Sequence, residues 1–178
     1  MFNVKEGLID THCHLPITRN IEVNVNHAKE SGVTGIINVS IEHGDVEHLQ
    51  QLANKFSTEE LVIWSTVGLH PNYVKNGNLY SVADILSAIN KNDSCIGIGE
   101  SGLDYIRDIT PQCKKNQIEQ FNIHIEAAQK SKLPLIIHTR GADQQTTEII
   151  ESAIKHSEFP ILIHCYAVEE QYGRRLLD

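Results

Sequence analysis

Six apolar, charge-poor runs, each followed by a segment with helical spacing, constrain this chain more than any other feature. They are Leu8-Ile9 leading into Asp10 to His14, then Val33 to Val39, Leu61 to Val67, Cys95 to Glu100, Leu133 to His138 and Phe159 to His164. Helical patterns lie between them at Ile21 to Ser31, Asp45 to Phe56, Val82 to Asn90, Pro111 to Ser131 and Thr146 to His156, and a further one opens near Val168. Val46, Leu49, Leu52 and Ala53 form a stripe along the second of these, the signature of a helix with one buried face. Punctuation agrees with the pattern: Leu15-Pro16 ends the first strand, Gly32 stops the first helix, Pro111 opens the long helix and Pro134 starts a strand, each where its backbone preference is tolerated. Strand then helix, repeated, implies parallel strands with helical crossovers. Runs without polar alternation imply strands covered on both faces. Two architectures remain: a doubly wound sheet and a (β/α)8 barrel.

The polar residues that interrupt the runs decide between them. The first strand ends in His12 and His14, the third in His70, the fourth in Glu100, the fifth in His138 and the sixth in His164. All lie at C-terminal ends, which converge on one mouth in a parallel barrel and spread along a line in a doubly wound sheet. Side chains alternate faces along a strand, so Asp10, His12 and His14 share one face. An H-x-H pair can grip a metal ion through neutral imidazole, although two packed histidines would satisfy that pattern alone. Six such residues at the same end of five strands are hard to attribute to packing. His27, His43, His48, His124 and His156 fall on helices or loops and read as surface or satisfied core residues. The expected fold is therefore α/β and TIM-barrel-like, with residues 1–178 as one domain.

A net charge of −8 argues against nucleic-acid binding through a broad basic face. It leaves room for an enzyme whose bound cations supply the positive charge. Neither a signal-peptide core nor a transmembrane run is evident, so a cytoplasmic protein without membrane contact is expected. Cys13, Cys95, Cys113 and Cys165 show no C-x-x-C spacing and read as buried reduced thiols.

At this point the motifs match a family. Ile9-Asp10-Thr11-His12-Cys13-His14, Val67-Gly68-Leu69-His70-Pro71, Ile98-Gly99-Glu100-Ser101-Gly102-Leu103-Asp104-Tyr105, Leu133-Pro134-Leu135-Ile136-Ile137-His138-Thr139-Arg140 and Ile163-His164-Cys165-Tyr166 occur in order. Gln117 and Phe121 add a Q-x-x-x-F helix. Together they resemble the TatD-type metal-dependent hydrolases of the amidohydrolase superfamily. The resemblance implies a TIM barrel and a divalent-metal phosphodiesterase acting on DNA. It puts His12 and His14 on one ion, His138 and His164 on a second, and Glu100 between both, with magnesium, manganese or zinc as the ions. A carboxylate has two oxygens and can span two ions, which imidazole cannot. Glu100 and His70 are then the catalytic candidates. His70 is placed for phosphate contact or leaving-group protonation, and Arg140 for a phosphate oxygen, although a surface salt bridge accounts for Arg140 equally well. Asp10 is a candidate to orient a ligand imidazole, and Asp104-Tyr105 to shape the loop over the mouth.

A complete barrel of this kind has eight strands and ~250 residues, whereas six strands are readable here. The family's further aspartate, at the end of the eighth strand, has no counterpart among these residues. The expectation is a truncated form with open edges that invite self-association. Two alternatives stand beside the deoxyribonuclease: a metallohydrolase of a small amide or ester, and a non-catalytic metal-binding remnant.

Overall fold

A computed structural model describes residues 6–15, 20–74, 77–106, 110–165, 167 and 169–177. Its strands are β1 (Leu8–Cys13), β2 (Val33–Asn38), β3 (Val62–Val67), β4 (Cys95–Asp104), β5 (Leu135–Arg140) and β6 (Ile161–Ile163). Helices α1 (Ile21–Glu30), α2 (Asp45–Phe56), α3 (Val82–Asn90), α4 (Pro111–Ser131) and α5 (Asp143–Ile154) connect them, and α6 (Glu170–Leu177) follows. The sheet order is β1-β2-β3-β4-β5-β6, with every neighbouring pair parallel. Among the described residues no helix is long and apolar enough to cross a membrane. Pro16, Tyr166 and Val168, named above, lie outside the described residues.

In a flat sheet β1 and β6 would stand five strand spacings apart, roughly 24 Å. Yet the rings of His12, on β1, and His164, just after β6, stack with centroids 3.4 Å apart. The sheet is therefore rolled about its C-terminal mouth, as the expected barrel geometry requires, and a doubly wound sheet is excluded. Close backbone approach permits the roll beside the site. A Cβ on Gly68 would collide with the backbone of Gly99, and one on Gly102 with the carbonyl of His138, where φ is +145°.

The main core joins Val67, Ile98, Leu103, Leu135 and Ile137 from the central strands to Ile85, Phe121, Ile125 and Ile150 from α3, α4 and α5. A second cluster packs Val25 and Ala53 against Ile36, Leu61 and Ile63. Local chemistry fixes the helix starts. Ser81 and Asp84 form a reciprocal capping box on α3, and Thr110 caps α4 with Pro111 in the first turn, each satisfying N–H groups that a helix leaves unpaired.

Three expectations are corrected. Expected to be covered on both faces, β1 has Leu8 and Ile9 64% and 48% exposed, because β2 is its only strand partner among the described residues. The fourth strand, expected to end at Glu100, continues in register with β5 as far as Asp104, which thus belongs to the strand rather than to the loop over the mouth. Cys165 is exposed rather than buried, while Cys113 is buried and all four thiols are free. Burial pushes Cys13 up to about 12 and Cys95 up to about 11, as expected of inert thiols.

Candidate metal centre

Glu100 is the hub. It lies on β4 with its side chain 4% exposed, and its amide donates to the Ser40 carbonyl. Four imidazoles surround the carboxylate, divided between its two oxygens. Nε2 of His12 and of His14 lie 3.2 and 3.8 Å from Oε2. Nδ1 of His138 and Nε2 of His70 lie 2.9 and 3.8 Å from Oε1.

Each ring's outer nitrogen shows what its inner nitrogen offers. Nδ1 of His14 donates to the Val39 carbonyl at 3.0 Å, leaving an Nε2 lone pair facing Oε2. Nε2 of His138 lies 3.3 Å from Asp104 Oδ2 and its Nδ1 2.9 Å from Glu100 Oε1; with the proton on Nε2, the Nδ1 lone pair faces Oε1. Nδ1 of His70 accepts the Asn72 amide, which puts the proton on Nε2, 3.2 Å from His138 Nδ1. Both ring nitrogens of His12 are buried and neither is hydrogen-bonded, although Nε2 lies beside Glu100 Oε2. Unpaired buried nitrogens and lone pairs aimed at a carboxylate repel in the absence of a cation. The donor set therefore fits divalent ions lying between Glu100 and its imidazoles.

The geometry distinguishes the histidines. Among the described residues, two sets have ligand atoms mutually within 4.8 Å: His12, Glu100 and His164, and His70, Glu100 and His138. His164 thus stands against His12, whereas the motif resemblance pairs it with His138. Burial lowers the His164 pKa, with the charge of His12 adding to the shift. His70 is lowered to about 4, by burial first and then by the charge of His138. It is neutral near pH 7, with an N–H pointed into the site.

Arg140 lies at the exposed end of β5, in register with Asp104, and is outside the Glu100 cluster. Asp10 orients no imidazole; its Oδ1 accepts the backbone amide of His12. Sequence reasoning missed the reach of Asp104, which is 1% exposed and touches His138. It also missed the polar stripe on α4 that holds the site's loops. There Gln117 bonds Asp104 and the Pro71 carbonyl, Asn116 the Val74 carbonyl, Gln120 the Tyr80 amide, and His124 the Leu69 amide. The 3–4-residue spacing of these polar residues in an otherwise amphipathic helix was the available signal.

Residues 9–178 match the family described as TatD related DNase. An uncharacterized metal-dependent hydrolase of Buchnera aphidicola subsp. Acyrthosiphon pisum (strain APS) is 34% identical over 96% of this chain and 66% of its own length. A protein of Pantoea ananatis named a 3'-5' ssDNA/RNA exonuclease TatD is 25% identical, over all of this chain and 64% of its own. The crystal structure of a TatD family hydrolase from Entamoeba histolytica superposes with a TM-score of 0.80 at 22% identity, over 98% of this chain and 63% of that one. The chain thus spans slightly less than two thirds of the relatives it matches. With the motifs in order and the match running from β1 through α6, the chain belongs to the TatD related DNase family.

Proposed function

We propose that residues 1–178 form one domain of a divalent-metal-dependent deoxyribonuclease, working in the cytosol and hydrolysing phosphodiester bonds at the Glu100 cluster. The observation that carries this reading is the split of the Glu100 carboxylate, with His12 and His14 facing Oε2 and His138 facing Oε1. His12, His14, His138, His164 and Glu100 would hold two divalent ions, magnesium, manganese or zinc. Bound there, the ions would lower the pKa of a water and neutralise phosphate charge. Glu100 holds the negative charge that balances them. His70, neutral with its N–H inward, donates to a phosphate or leaving-group oxygen. Arg140, at the rim, contacts the DNA backbone.

A labelled DNA oligonucleotide incubated with the protein and magnesium, manganese, zinc or chelator tests this. Cleavage that requires metal and falls at least about a hundredfold in Glu100→Gln is expected. Cleavage in chelator, or undiminished in Glu100→Gln, would exclude the site. The net charge of −8 favours a second reading, a small amide or ester as substrate. Metal-dependent turnover of such a substrate with no DNA cleavage would select it, while metal binding without turnover of either would identify a non-catalytic remnant. The exposed Leu8 and Ile9 on β1 and Leu162 on β6 support self-association along the sheet edges; a monomer across the concentrations of a sedimentation series would exclude it.

A further inference from the structure

Asp104 stands outside the set of imidazoles around Glu100, yet it is more deeply buried than any of them. Its backbone is held on two sides. Gln117 Oε1 accepts the Asp104 amide at 3.0 Å, and Gln117 Nε2 donates to the Asp104 carbonyl at 3.2 Å and the Pro71 carbonyl at 3.3 Å. Its side-chain oxygens are divided: Oδ1 accepts the Ile106 amide at 3.1 Å, and Oδ2, among the described residues, faces Nε2 of His138 at 3.3 Å. A buried side-chain oxygen pairs with a donor wherever one is in reach; His138 Nε2 can supply that N–H, in competition with Nδ1, which lies 2.9 Å from Glu100 Oε1.

We propose that Asp104 is a positioning residue for His138. By accepting Nε2–H it fixes the ring's tautomer and presents the Nδ1 lone pair to the Oε1 side of Glu100, where a cation would sit. The inference rests on the two-ion reading for its consequence, though not for the tautomer itself. Gln117 extends the same control to His70, because one amide spans the Asp104 backbone and the turn carrying His70. An imidazole whose outer N–H is held by a carboxylate is a better-oriented and more basic ligand, and loss of such a partner lowers metal affinity tenfold to a hundredfold. Val39 serves His14 through a neutral carbonyl, so the two sides of Glu100 are held by partners of different strength.

The test compares wild type, Asp104→Asn and Asp104→Leu by two measurements. In metal-free protein labelled with 15N-histidine, long-range proton–nitrogen spectra at pH 8 report the His138 tautomer, with His138→Gln giving the assignment. Cobalt(II) titration followed by visible absorption reports affinity. Wild type is expected to carry the proton on Nε2. Asp104→Leu is expected to lose that preference and to bind cobalt tenfold to a hundredfold more weakly. Asp104→Asn, which keeps an acceptor and the volume, is expected to hold the tautomer and fall between the two. A wild-type His138 protonated on Nδ1, or Asp104 variants with unchanged tautomer and cobalt affinity, would overturn the proposal. If Asp104→Leu does not fold, Asp104→Asn decides, since cobalt affinity equal to wild type overturns it. If wild type takes up no cobalt, the two-ion reading fails, while the tautomer comparison still judges Asp104.

Discussion

β4 and β1 each deliver residues to the same site from opposite environments. β4 is buried from Gly97 to Asp104, between β3 and β5 and under α4. Most of β1 is exposed, and β2 is its only strand partner among the described residues. The anion of the site thus sits where the fold is most tightly determined, and the H-x-H pair where it is least. Loss of packing at the centre should unfold the protein, whereas change at the edge should alter the site and leave the fold standing.

The largest expected effect is at the centre. Phe121 is fully buried beneath β4, and Phe121→Ala should lower stability by about 3–5 kcal/mol, read from the midpoint of urea unfolding. A loss below about 1 kcal/mol would mean that the centre is no firmer than the edge.

Acid should act next, through His124 on α4. Buried and neutral, it accepts the Leu69 amide and donates to the Gln120 carbonyl; burial lowers its pKa from 6.5 to about 4. Between those values the unfolded chain binds the proton and the folded chain does not. The neutral His124 contribution is therefore complete above pH 6.5 and falls as pH drops toward 4, by about 1.4 kcal/mol per unit and about 3 kcal/mol in all. Unfolding curves for wild type and His124→Asn across that range should converge as pH falls. Parallel curves would remove His124 as the cause.

The smallest effect belongs to the edge. Ile9→Thr, at a half-exposed position of β1, should change stability by no more than about 0.5 kcal/mol. A loss above about 2 kcal/mol would show that the edge is covered in solution, by another copy or by further chain.

The contrast also explains what was legible in the sequence. The central strands announce themselves because Ile36-Ile37 and Val62-Ile63 fall within charge-free, β-branched runs, and strand-end histidines stand out against such a background. The end of β4 does not. Gly99, Ser101, Gly102 and Asp104 break the apolar run, and they are accommodated only because β5 approaches closely at Gly102 and Gln117 arrives from α4. The exposure of β1 depends on what lies beside it in space, which no local pattern records. The histidines were found from their positions, but not the nitrogen each would turn inward. That is set by Val39, Asn72 and Asp104, two of them backbone partners whose identity leaves no trace in the sequence.

The stacking of His12 on His164 bears on the order in which the molecule is made. These rings are about 150 residues apart along the chain, while each strand of the sheet pairs with its neighbour in sequence. Contacts between sequence neighbours close short loops and form early, and the most distant pairing forms late. The mouth is therefore completed only when the growing sheet has curled through all six strands. A chain stalled with its centre built and its edges apart would give the spectrum of a folded protein and lack a centre able to hold an ion, so metal uptake is the stricter measure of native assembly.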